Sequence, residues 1–229
     1  MRLWISTRQE VKSCAQYNRV VNRRRFLHAV AGLGAATLLP SAAAANAERP
    51  VYFVPLENYR ELPADCYAPD LITPREIILH WDGNRNGREL WKVAVTYETL
   101  AFLNQSVHFA VDDKRVLQML PMFRRTVQHS YGALGFNDVA VNIEMAGREF
   151  DQPELAPAPE QVRLTVALTS LLMDYYAIPF ERVVGHFERD DRGLKKDPGE
   201  KFMAEFRLKL IEYRASRSPI KQQLIADSY

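Results

Sequence analysis

Short β-prone runs, set apart by stretches of helical spacing, leave this chain few folds other than a sheet covered by helices. Residues 76–80 carry three aliphatics in a row, Ile77-Ile78-Leu79, and read as a buried strand ending at His80. Val107, Phe109 and Val111 alternate with His108, Ala110 and Asp112; residues 112–115 turn the chain, and 116–120 return as a hairpin partner. Residues 139–145 set Val139, Val141, Ile143 and Met145 against Ala140, Asn142 and Glu144, so Glu144 points away from the aliphatic face of its strand. Residues 182–186 form the next strand. Helical spacing marks 89–103 (Leu90, Val93, Ala94, Tyr97, Leu100, Ala101), 160–176 (Val162, Val166, Leu172, Met173, Tyr176) and 199–214 (Phe202, Phe206, Leu210, Tyr213). Alternating strands and helices predict an α/β fold, a single domain with a central mixed β-sheet flanked by helices.

Residues 1–47 are unlike the remainder. They hold seven Lys/Arg and one acidic residue; Arg23-Arg24-Arg25-Phe26-Leu27 precedes an apolar run over 29–39, then Pro40 and an alanine-rich end at Ala45-Asn46-Ala47. A basic start, a short apolar core and a small-x-small end predict an export signal cleaved after Ala47. The arginine pair followed by x-Phe-Leu resembles the twin-arginine type, which implies the twin-arginine export machinery as a partner and a periplasmic or exported location in a bacterium. The apolar run is too short to span a bilayer, which takes about 20 residues, so no stable membrane insertion is expected after cleavage.

The whole chain is +2, yet residues 48–229 carry 23 basic and 27 acidic side chains, a net −4. The basic balance therefore belongs to the signal and gives no reason to expect a nucleic-acid partner. Five prolines in 48–74 predict an extended lead-in around the domain. The domain is expected over 75–214, with 215–229 as a C-terminal tail. Of two cysteines only Cys66 remains after the signal, so no internal disulfide is expected, and Cys66 reads as a small, partly buried side chain.

The polar stretch 185–202, G-H-F-E-R-D-D-R-G-L-K-K-D-P-G-E-K-F, follows the last strand and feeds the last helix. It offers His186 and Asp197, and His80 ends a strand far upstream. Two histidines and one carboxylate make three zinc ligands and leave a fourth tetrahedral position for water. Taken alone, Asp197-Pro198-Gly199 reads first as a helix start, with Asp as N-cap and Pro in the first turn. His108, within a hairpin strand, reads as a hydrogen-bonded structural histidine.

The order of these pieces is informative: Ile78-Leu79-His80; the hairpin Val107-His108-Phe109-Ala110-Val111 with Val116-Leu117-Gln118; Phe136-Asn137-Asp138 into Val141-Asn142-Ile143-Glu144; Gly185-His186; and Lys195-x-Asp197-Pro198-Gly199. This order resembles the zinc-dependent N-acetylmuramoyl-L-alanine amidases of the peptidoglycan-recognition and phage-lysozyme type. The resemblance implies a substrate groove on the zinc side of the sheet. It also implies hydrolysis of the amide joining N-acetylmuramic acid to L-alanine in peptidoglycan or muropeptides. By motif position it implies His80, His186 and Asp197 as ligands of Zn2+, Glu144 as general base and Lys195 as the cation facing the oxyanion. Asn142 and His129 are the expected substrate contacts, with a structural role open for His129. Glu144 matches the acidic residue of the family's Ile-Gly-Ile-Glu strand. Two departures stand out: the family's Trp-His-Ala-Gly is here Gln128-His129-Ser130-Tyr131, and the small or hydroxyl residue it often carries after the first ligand is here Trp81-Asp82. A wall-binding module without catalysis and a zinc peptidase acting on stem peptides are the alternatives; the three filled ligand positions oppose the first and the motif order the second.

Overall fold

The computed structural model describes residues 48–84 and 105–226. The helix expected over 89–103 and the signal over 1–47 lie outside the described residues. In chain order the elements are β1 (Leu71–Ile72), β2 (Glu76–Trp81), β3 (Phe109–Val111), β4 (Val116–Gln118), β5 (Val127–Gln128), β6 (Ala140–Met145), α1 (Pro159–Tyr176), β7 (Val183–Gly185) and α2 (Glu200–Ala226). Five strands form the main sheet in the order β4-β3-β6-β2-β7, and β1 pairs with β5 in a separate two-stranded ribbon. In the main sheet β3, β6, β2 and β7 run parallel and only β4 is antiparallel, joined to β3 as a hairpin. The mixed sheet expected from the sequence is thus the sheet observed.

The two faces of that sheet follow from strand alternation. Ile77 and Leu79 on β2 and Val141, Ile143 and Met145 on β6 share one face with Phe109, Val111 and Val183. Helices α1 and α2 cover it with Val166, Leu172, Met173, Phe202, Met203, Phe206 and Leu210. Burying each such side chain contributes about 1.5–3 kcal/mol. Gln161 fixes the start of α1, donating from Nε2 to the carbonyls of Val111 and Ala146, both at 2.9 Å. The opposite face carries Ile78, Ala140 and Val184 near the strand starts, under Ala133 and Phe136. Beyond them it carries polar side chains.

The proline-rich lead-in has little regular structure, with one 3-10 turn at Leu56–Asn58 before β1. It lies along the edge strand β4. The N–H of Phe53 donates to the side chain of Gln118, and those of Arg60 and Leu62 donate to the carbonyls of Gln118 and Met119. An uncovered edge strand invites pairing with other chains, and the lead-in closes this one. Cys66, in the same segment, is fully buried and unbridged.

Two expectations need correction. Helix α2 does not stop at Arg214 with a tail after it; it runs on to Ala226. No glycine interrupts this part, and Ala215, Arg217, Lys221, Gln222, Gln223 and Leu224 are good helix formers, although Pro219 removes one backbone donor. Nor does Asp197 cap this helix. Gly199, at φ 111°, precedes Glu200, and it is Asp151 that accepts the Phe202 N–H at 2.8 Å. A Cβ on Gly199 would collide with the Asp151 carboxylate, so both the dihedral and the close approach require glycine there. With capping done by Asp151, Asp197 is left for other work.

Candidate metal centre and active site

Parallel pairing of β2 with β6 sets His80 across from Glu144 and Ile78 across from Asn142. Residues 78 and 80, 142 and 144 share the polar face, so the register alone brings His80, Asn142 and Glu144 together. His186 begins the 3-10 turn His186–Arg189 that follows β7, the neighbour of β2 on its other side. The loop beyond returns Asp197 to the same point, and the Phe187 N–H donates to the Asp197 carbonyl at 3.0 Å. Gly185 makes that return possible, since a Cβ there would strike the Phe187 ring and Pro198.

His80 Nδ1, His186 Nδ1 and Asp197 Oδ2 converge, with separations of 3.0 Å between the two nitrogens and 3.1 and 2.9 Å from these to the oxygen. All three residues are buried. Ligand atoms about 2.0–2.2 Å from one zinc ion at tetrahedral angles lie about 3.3 Å apart, so the triangle has the dimensions of a zinc site. Its chemistry agrees. Burial pushes the Asp197 carboxyl up, but hydrogen bonds from His186 and His80 hold it well below the usual carboxylate range, so it is ionised. Burial opposes charge on His80, and the neighbouring Asp197 and Glu144 nonetheless raise its pKa. His186 is lowered by burial, with the charges of His80 and Lys195 adding to the effect. Two imidazoles and one ionised carboxylate, with the charge of Glu144 nearby, are a donor set for Zn2+.

The remaining expected residues take distinct places. Glu144 is buried on β6 beside His80, close enough for its charge to act on that imidazole. Lys195 is exposed on the loop before Asp197. That loop is pinned by Asp190, whose Oδ2 accepts the N–H groups of Leu194 and Lys195 at 2.6 and 2.7 Å. His129 follows β5, its Nδ1 within hydrogen-bond distance of Asp70 Oδ2 of the lead-in, at 2.9 Å. Asn142, expected to touch substrate, is 0% exposed: its Oδ1 lies 2.8 Å from His80 Nε2 and its Nδ2 donates to Ser130 Oγ at 2.8 Å. It stands behind the ligand. His108 is structural as expected, with Nε2 2.8 Å from the Gln128 carbonyl and Nδ1 accepting the Asn142 N–H at 3.1 Å.

One supporting pair escaped the sequence reading. Glu76, 2% exposed at the head of β2, meets Arg189 at 2.7 Å through both carboxylate oxygens. Arg189 ends the turn that His186 begins, so this pair ties the two histidine-bearing segments together. A glutamate opening an otherwise aliphatic strand was the available signal, because a buried carboxylate needs a partner. A cavity of about 770 Å³ between α1 and α2, lined in part by Phe150, Val162, Phe206 and Tyr213, belongs to the helix side and holds none of these groups.

The family model of the N-acetylmuramoyl-L-alanine amidases matches residues 70–200, a span that contains every ligand. Among solved structures, the catalytic domain of XlyA is 21% identical, with 66% of this chain and 97% of that chain covered and a TM-score of 0.54. A mutant endolysin from Bacillus subtilis is 22% identical, with 66% and 96% covered and a TM-score of 0.54. PlyL is 20% identical, with 67% and 95% covered and a TM-score of 0.52. These likenesses concern the fold. No curated protein matches the chain. With the family model spanning more than half of the sequence, and two histidines and an aspartate gathered inside that span on the polar face of its sheet, this chain belongs to the N-acetylmuramoyl-L-alanine amidase family as a zinc amidase.

Proposed function

We propose that the protein hydrolyses the amide between the lactyl group of N-acetylmuramic acid and L-alanine, outside the inner membrane, after twin-arginine export. The observation that carries this reading is the convergence of His80, His186 and Asp197 beside Glu144. An amide needs a nucleophile at neutral pH, relief for the charge growing on its carbonyl oxygen, and a proton for the departing nitrogen. Zinc, when bound, supplies Lewis acidity and lowers the pKa of a water ligand to about 7. The His80 and His186 Nδ1 atoms and Asp197 Oδ2 would hold the ion. Glu144 takes the proton of the attacking water as the C–O bond forms, then delivers it to the alanine nitrogen as the C–N bond breaks. The products are the lactyl carboxylate and a stem peptide with a free amino terminus. Lys195 places a positive charge toward the carbonyl oxygen, and the Asp190 contacts keep its loop in position. His129, partly exposed just after β5, is assigned to the substrate side by its motif position.

Digestion of purified peptidoglycan by residues 48–229 with zinc, followed by mass spectrometry, tests the reaction. Stem peptides beginning with L-alanine, absent after chelation, are expected. Cuts within the peptide would make the protein a peptidase, and sedimentation with intact wall without any cleavage would make it a binding module. Export is supported by the basic and apolar pattern of residues 1–47. Replacing Arg23 and Arg24 by lysine should keep the protein in the cytoplasm; unchanged periplasmic recovery would remove the twin-arginine route.

A further inference from the structure

We infer that Asn142, held by Ser130, is the positioning residue that makes His80 a metal ligand. This rests on the zinc-amidase reading and adds a requirement to it. A neutral imidazole carries one proton, and it ligates only through the nitrogen that lacks it. His80 directs Nδ1 at His186 and Asp197, so its proton must reside on Nε2. The group facing Nε2 is Asn142 Oδ1, an acceptor at 2.8 Å. The other end of the amide fits that orientation: Nδ2 donates to Ser130 Oγ at 2.8 Å, and Ser130 is 0% exposed, so bulk water does not compete for it. The Asn142 backbone is fixed as well, its N–H on His108 Nδ1 and its carbonyl accepting the His108 N–H at 3.0 Å.

Space has been made for this side chain. A Cβ on Gly132 would lie 2.5 Å from Asn142 Cγ, so the only residue that fits against the amide is glycine. A Ser130–Asn142–His80 chain of hydrogen bonds therefore runs inside the polar face, buried along its length. Its effect is to exclude the His80 tautomer with the proton on Nδ1, which would turn a donor hydrogen toward the ion and block ligation. Outer-sphere partners of ligating histidines act in this way, and their loss costs about 10–100-fold in metal affinity.

Competition with a chelator gives zinc affinity independently of turnover, and the visible spectrum of the Co2+-substituted protein reports ligand geometry. Asn142→Leu keeps the shape and removes the acceptor; it should bind zinc about 10–100-fold more weakly and shift the Co2+ bands. Asn142→Asp keeps an acceptor toward Nε2 and should hold zinc within a few-fold of the parent. Ser130→Ala, which leaves the amide in place but unanchored, should lose affinity by a smaller factor and serves where the leucine variant does not fold. Equal affinity in the parent and both Asn142→Leu and Ser130→Ala would overturn the proposal. So would an aspartate variant as weak as the leucine one, because only shape would then matter. A parent protein that binds no zinc would instead overturn the metal reading itself, a result separable from both.

Discussion

Strands β2 and β6 present two faces to two different environments. On one side Ile77, Leu79, Val141, Ile143 and Met145 meet α1 and α2 in a dry core. On the other, one residue along each strand, stand His80, Asn142 and Glu144, equally inaccessible but polar. The helix-covered face is held by apolar area, which is non-directional and tolerates volume-conserving change. The site face is held by hydrogen bonds and ion pairs, which fail when one partner is removed and another is left buried. A substitution on the first face should therefore cost stability and spare chemistry, and one on the second should do the reverse.

His186→Ala provides the largest expected effect and the hardest test of that division. It removes one corner of the ligand triangle, so zinc affinity should fall by more than the about 10–100-fold that loss of an outer partner costs, and turnover should drop to background. Metal analysis after dialysis, with a urea unfolding curve on the same sample, separates the two quantities. A large loss of stability in the metal-free protein would show that the site face also carries the fold.

Glu144→Gln comes next. The ligands are untouched, so zinc content should stay at the parent level while kcat falls about 10²–10⁴-fold, the usual contribution of a positioned general base. Full activity would take Glu144 out of the mechanism, and loss of metal would move it into the group that holds the ion.

The two faces also differ in how well the sequence announced them. Strand alternation and helical spacing are local, so the sheet, α1 and the separation of Glu144 from the aliphatic face could be read directly. The ligands were found through motif order, since nothing local distinguishes His80 from any strand-end histidine. Long-range pairings left their partners unnamed, even where a buried-position glutamate such as Glu76 signalled that one was needed. Asp151 caps α2 from 51 residues away, and Arg189 meets Glu76 across 113 residues. Asn142 and Ser130 did leave a mark, as departures from the glycine and alanine of the motifs they resemble. Two small residues exchanged for two polar ones, on segments brought side by side, point to a hydrogen bond between them. The end of α2 was misplaced because no glycine marks a stop after Arg214 and the composition beyond it stays helix-forming.

Phe206→Ala probes the other face. Phe206 is fully buried against the helix side of the sheet, and truncation there should cost about 3–5 kcal/mol of unfolding free energy. Below its lowered unfolding temperature the variant should keep parental zinc affinity and kcat. A parallel fall in zinc affinity would mean that packing behind β2 sets the position of His80, and the two faces would no longer be separable.

His108 gives the smallest effect and sits where the faces meet, inside the sheet region yet outside the ligand set. Burial is the main reason its pKa is lowered to about 4, with the nearby His129 charge adding to it and the Gln128 carbonyl opposing. In the unfolded chain it titrates near 6.5, so between pH 6.5 and 4 the unfolded state binds more protons than the native one. Stability from this residue is therefore complete above about pH 6.5 and is lost as pH falls toward 4, by up to about 3 kcal/mol. Replacing it with His108→Gln should flatten that part of the pH dependence, whatever the substitution costs at pH 7.5. Urea midpoints of the chelated protein at pH 7.5 and 5, compared between parent and variant, measure the difference with the zinc ligands common to both. An identical fall in parent and variant would place the acid sensitivity on the ligand histidines, and the polar face would then owe its pH response to the site alone.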